Sequence, residues 1–162
     1  MFGHPGIYPP SDARLRVVAS AAAPAKLLVR SGHPLTQVSG PLRLKHIQPY
    51  PLALMPPAYG VGRLVELLEY AERVALHRSF TSNSVAALKR FVRATDGVTF
   101  VGAGLAVAPE VEAGQLVTLD LAYPLCQQAQ VSLMIRQGRP LSAAAGHLLA
   151  SISGMFSVFK RS

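Results

Sequence analysis

The sequence predicts an α/β fold built on a mainly parallel sheet, and two observations carry that prediction. Across residues 50–121, short apolar runs alternate with segments of helical periodicity in the order β-α-β-α-β-α-β. Strands alternating with helices imply parallel pairing and right-handed crossovers. Composition supplies the second: 50% of the 162 residues are hydrophobic, enough for a packed core. The 13 Gly and 13 Pro punctuate short elements and form no low-complexity tract.

Each element has its own signal. Residues 1–13 are rich in Pro and Gly and read as irregular. Residues 15–19 and 26–30 are short strand-type runs, with Ala21-Ala22-Ala23-Pro24 between them. Ser31-Gly32-His33-Pro34-Leu35 is a turn, residues 42–47 a short helical turn, and residues 50–55 an apolar strand stopped by Pro56-Pro57. Residues 60–74 carry helical periodicity, with Leu64, Leu67, Leu68, Ala71 and Val74 on one face and Arg63, Glu66, Glu69 and Glu72 elsewhere. Residues 75–81 form a strand; residues 84–94 form a helix with Val85, Leu88, Phe91 and Val92 inward. A strand at 98–101, a short helix at 105–113 closed by Gly114, and a strand at 116–121 complete the alternation. A last strand at 131–135 and a last helix at 141–159 follow.

Composition also excludes function classes. The formal net charge is +8, but the 16 Lys and Arg are scattered and form no basic run. Aromatics do not interleave with them as a nucleic-acid stacking platform requires. Sequence-specific DNA binding by this chain alone is not expected. The first ten residues have neither a basic start nor an apolar core, so no signal peptide is read. Residues 140–159 carry no charge, but four Ser, two Gly and His147 dilute them. Leu141, Leu148, Leu149, Ile152, Met155, Phe156 and Phe159 fall on one helical stripe, which reads as a packed amphipathic helix and not a membrane span. Cys126 is the only cysteine; it excludes an internal disulfide and suits a reducing, cytoplasmic setting.

No catalytic or metal constellation emerges. His4, His33, His46, His77 and His147 have no metal-ligand spacing, and His33 reads as a structural member of its turn. Gly60-Val61-Gly62 lacks the third glycine of a dinucleotide fingerprint, since Val65 stands there. Gly-x-Ser-x-Gly is absent, and Glu66, Glu69 and Glu72 share an exposed helix face. The expectation is a non-enzyme without cofactor or metal. Thr81-Ser82-Asn83-Ser84 opens a helix at the carboxyl end of a strand. Such a cluster caps the helix, and in open α/β sheets the same place also binds small ligands. Both readings stay open. Pro57-Ala58-Tyr59-Gly60 is the matching junction one unit earlier.

Several landmarks, taken in order, resemble the LysR-type transcriptional regulators. Leu27-Leu28-Val29 before Gly32-His33-Pro34-Leu35 looks like that family's strand and turn. Tyr50-Pro51-Leu52-Ala53-Leu54 before Tyr59-Gly60 looks like its next strand and helix start. Asn83-Ser84 with Leu88, Phe91 and Val92, then Gly97-Val98-Thr99-Phe100-Val101, resemble its next helix and glycine-led strand. Ala106-Val107 to Glu110, then Gly114-Gln115-Leu116-Val117, resemble the helix and strand that follow, and Arg136-Gln137-Gly138-Arg139-Pro140-Leu141-Ser142 the turn before its last helix. The likeness covers about residues 14–156. The sequence departs from the family pattern at Thr95-Asp96, where Gly-Leu is usual, and at Gly102, where Pro is usual.

The resemblance implies a periplasmic-binding-protein-like (type 2) effector-binding domain, N-terminally truncated, without the winged helix-turn-helix and linker helix. It implies one complete lobe and part of another: residues 1–30 as partial first lobe and crossover strands, 31–121 as the second lobe, and 122–162 as the return to the first. It implies effector contacts at Tyr59, Gly60, Thr81, Ser82, Asn83, Ser84 and Gly102. The expected partners are a small-molecule effector, with a carboxylate as one candidate, and further copies of the chain in a homo-oligomer; no membrane is expected. The alternative is a structural remnant that oligomerises without sensing a ligand.

Overall fold

A computed structural model describes residues 13–58, 60–102 and 107–159. The chain first lays down β1 (Leu15–Ala22) and β2 (Lys26–Arg30), then α1 (Leu44–Ile47) and β3 (Leu52–Leu54). The alternation continues with α2 (Gly60–Glu72), β4 (Arg78–Thr81), α3 (Val85–Ala94), β5 (Val98–Val101), α4 (Ala108–Glu112) and β6 (Leu116–Leu119). It closes with α5 (Pro124–Gln127), β7 (Gln130–Arg136) and α6 (Ala143–Phe159).

Two sheets result among the described residues. Five strands take the order β4-β3-β5-β2-β6, and β1 pairs with β7 in a separate two-stranded sheet. β3 is parallel to β4 and β5, while β2 is antiparallel to β5 and β6. Four strands therefore run one way and β2 runs against them. β2, expected with the first lobe and the crossovers, lies inside the larger sheet.

The chain leaves β3 toward β4 on one side and returns to β5 on the other, so the strand order reverses between β3 and β5. The crossovers cover both faces. Val61, Leu64, Val65 and Leu68 of α2 pack with Leu27, Val29, Leu52, Leu54, Val98 and Phe100. On the other face Val92 of α3 packs with Leu28, Val107 and Leu116, with Phe91 at the border. Alternating strand residues thus serve opposite cores.

Several expectations are corrected. The buried face of α2 is Val61, Leu64, Val65 and Leu68; Leu67 and Ala71 are exposed. The helix is turned because Gly62 lies against the backbone after β3: a Cβ there would meet the Met55 and Pro56 carbonyl oxygens at 2.5 Å. α2 ends before Val74 because Arg73 takes a left-handed conformation, φ 53°. β4 starts at Arg78, not at residue 75, because Leu76 N–H donates to Glu69 Oε1 (2.8 Å) and not to a strand. Glu69 also pairs with Arg78. β1 runs on through Ala22, and α5 was not anticipated. Of the last helix's expected stripe, only part packs: Leu149, Ile152 and Phe156 meet β1 and β7, whereas Leu148 and Met155 are exposed.

His33 is structural, as expected. It is fully buried, Nδ1 accepts from Leu35 N–H (3.1 Å), and Nε2 donates to the Asp96 carbonyl (3.0 Å). The turn after β2 is thereby tied to the turn before β5. Arg30 adds a two-pronged pair to Asp96 Oδ1 (2.9 and 2.6 Å).

Candidate functional site

The site begins where the strand order reverses. Open α/β sheets leave a crevice beyond the strand carboxyl ends at that point, because the two crossovers diverge to opposite faces. Here Met55 follows β3, Gly102 follows β5, and α2 and α3 begin nearby. A cavity of about 210 Å³ occupies the crevice. Gly60, Val61 and Leu64 of α2 and Val85, Leu88 and Lys89 of α3 form its sides. Leu28, Thr99, Phe100, Val101 and Gly102 form its floor. Ala23, Ala25, Ala129, Gln130 and Val131 close it from the strands that link the two sheets.

Those linking strands are tied to each other. Ala23 N–H donates to the Ala129 carbonyl and Ala25 N–H to the Cys126 carbonyl, both at 2.8 Å. The chain passes between the sheets twice, and the two passages run side by side along one wall of the cavity. Cys126 is buried there; desolvation pushes its thiol up to about 11, which suits packing and not nucleophilic chemistry.

The wall is mostly aliphatic. Its one cation among the described lining residues, Lys89, donates to Glu110 Oε1 at 2.6 Å. That hydrogen bond holds the Glu110 carboxyl below its usual range. Thr99 is fully buried, and its Oγ1 has no hydrogen-bond partner. An unmet buried hydroxyl against apolar neighbours is costly, commonly about 1–3 kcal/mol.

The expected site residues divide. Gly60 and Gly102 line the cavity. Gly102 is there for space and not for a left-handed backbone: its φ is not positive, and a Cβ would approach Val61 Cγ2 at 3.3 Å. Thr81, Ser82, Asn83 and Ser84 stand at the start of α3 but are not in the lining. Ser84 Oγ caps the helix by accepting from Ala87 N–H (3.3 Å), and Ser82 Oγ accepts from Ser84 N–H (3.1 Å). Tyr59 lies outside the described residues. The sequence reading missed Thr99 and Lys89. The available signal was a hydroxyl residue inside an otherwise apolar strand, Val98-Thr99-Phe100-Val101.

Among the described residues, no three His, Cys, Asp or Glu side chains converge on a metal-sized site, and no helix is long and apolar enough to cross a membrane.

Comparison with known proteins agrees with this architecture. The LysR substrate binding domain family matches residues 6–156. The SDS degradation transcriptional activation protein of Pseudomonas sp. (strain ATCC 19151) is 32% identical over 137 residues, covering 83% of this chain and 43% of that protein. The chain thus spans less than half the length of this curated relative. The effector binding domain of QuiR, solved in complex with shikimate, superposes with a TM-score of 0.67 at 13% identity, over 94% of this chain and 66% of that one. The Synechocystis PCC6803 CcmR regulatory domain in complex with 2-PG gives a TM-score of 0.69 at 17% identity, over 92% and 70%. At those identities the two structures speak for the fold. With the family match spanning most of the sequence, the chain belongs to the LysR substrate-binding domain family.

Proposed function

We propose that the cavity between α2, α3 and the linking strands is the effector site of this domain, and that the whole protein is a ligand-responsive transcriptional regulator. The observation that carries this is the position of the cavity. It lies at the strand-order reversal and is closed by residues that join the two sheets. A ligand there touches the five-stranded unit through Leu28, Leu88 and Val101, and the linking strands through Ala23, Ala129 and Val131. It would favour whichever arrangement of the two units packs best around it, which is a population shift. DNA-bound parts of the regulator would read that shift; nothing in the chain's charge pattern suits sequence readout. Residues 31–121, with β2 added, form the second lobe in this reading, and β1, β7 and α6 belong to the first. The domain acts without catalysis, in the cytoplasm, as part of a homo-oligomer. Solved relatives of the same fold hold shikimate and 2-PG, which supports a small-molecule role.

One observation favours the alternative of a self-associating remnant. Leu148 is 50% and Met155 63% exposed on α6, and among the described residues β1 and β7 each have one strand neighbour. Such surfaces promote association.

Melting the protein with a panel of small carboxylates, phenols and alcohols separates the readings. Effector binding predicts a saturable rise in melting temperature with at least one compound class. Gly102→Leu, which fills the cavity, should abolish it while circular dichroism stays unchanged. Concentration-dependent oligomers with no ligand response would favour the remnant.

A further inference from the structure

We infer that the cavity takes a compact, uncharged, largely apolar ligand bearing one hydrogen-bonding group, and that Thr99 is the residue that recognises that group. The inference rests on the effector-site reading and narrows it to a ligand class.

Three observations converge. The first is size. An apolar protein cavity of about 150 Å³ holds benzene; one of about 210 Å³ suits a single ring with one or two substituents, or an aliphatic chain of similar bulk. The second is the buried hydroxyl. Thr99 is fully buried and lines the cavity, and Oγ1 has no partner. The cavity it lines is otherwise largely apolar, with Leu28, Met55, Leu88, Phe100 and Val101 among its walls. A ligand hydroxyl or carbonyl meeting Oγ1 would satisfy the one buried polar side-chain atom without a partner among the described lining residues.

The third is charge. Lys89 is already paired with Glu110 at 2.6 Å, and the other Glu110 oxygen, Oε2, is buried without a partner. A carboxylate that drew Lys89 away would leave Glu110 without its cation. At the start of α3, Ser84 Oγ accepts from Ala87 N–H and Ser82 Oγ from Ser84 N–H, and neither serine lines the cavity. The cavity therefore discriminates against an anion and favours a neutral group.

The test uses three probes of one shape: 4-methylphenol, toluene and 4-methylbenzoate. Each is titrated at pH 7 into the ¹⁵N-labelled chain, with wild type, Thr99→Val and Thr99→Ser compared. The expected order of affinity is 4-methylphenol first and 4-methylbenzoate last. Thr99→Val, which keeps the shape and removes the hydroxyl, should weaken 4-methylphenol about tenfold and leave toluene unchanged. Thr99→Ser should stay within a few-fold of wild type. Without ligand, Thr99→Val should melt no lower than wild type, since it removes an unmet polar group. Tighter binding of 4-methylbenzoate would overturn the inference and leave the effector-site reading standing. Equal loss of toluene and 4-methylphenol in Thr99→Val would remove Thr99 from recognition. If no probe binds and the wider panel also fails, both readings fall.

Discussion

The two sheets are built on different terms. The inner strands of the five-stranded sheet are covered on both faces: β3 is wholly buried, the middle of β2 is buried, and helices pack above and below, while the edge strand β4 is exposed. Among the described residues, the β1–β7 pair is packed on one face by α6, and most of β1 is exposed or half-buried. A two-stranded ribbon with one helix has little apolar area to set against chain entropy. More of the buried apolar area therefore lies in the larger unit than in the smaller one. The cavity sits along their seam, where a few contacts can bias a loosely held unit against a firm one.

The largest effect should come from the firm unit. Leu52→Ala, at a fully buried strand position, should cost ~2–5 kcal/mol in urea unfolding. Met155→Ala on the exposed side of α6 should stay within about 0.5 kcal/mol. Comparable losses from the two would erase the contrast. Next comes Gly62→Ala: its Cβ would meet two backbone carbonyl oxygens, so α2 must move off the end of β3, at ~1–3 kcal/mol. A neutral result would show that the α2 approach is looser than described. Ser84→Ala should cost ~1 kcal/mol through the lost α3 cap, with probe binding at the cavity unchanged. A drop in affinity with stability intact would move the site toward the start of α3.

That last variant bears on what the sequence made legible. The alternation from β3 to β6 was readable because hydrophobic period reports local structure directly. The reversed β2 was not, since its partners Thr99 and Val117 are far away in the chain and only long-range pairing decides its direction. The face of α2 was misread because it depends on how closely Gly62 approaches another segment, which no periodicity records. Gly60 and Gly102, which the resemblance implied, line the cavity. Thr99 was not legible, because threonine is an ordinary strand former, and its isolation appears only once the linking strands close over it. In the Thr81–Ser84 cluster both serine hydroxyls have local partners, Ser84 Oγ capping α3 and Ser82 Oγ accepting from Ser84 N–H.

Hydrogen exchange with and without saturating 4-methylphenol tests whether the ligand bridges the two sheets. The bridging arrangement predicts that free protein exchanges faster in β1 and β7 than in β2, β3 and β5. It also predicts added protection on both sides of the seam, at Leu28, Leu88 and Val101 and at Ala23 and Val131. Protection confined to α6 around Leu148 and Met155, with none at those positions, would contradict it.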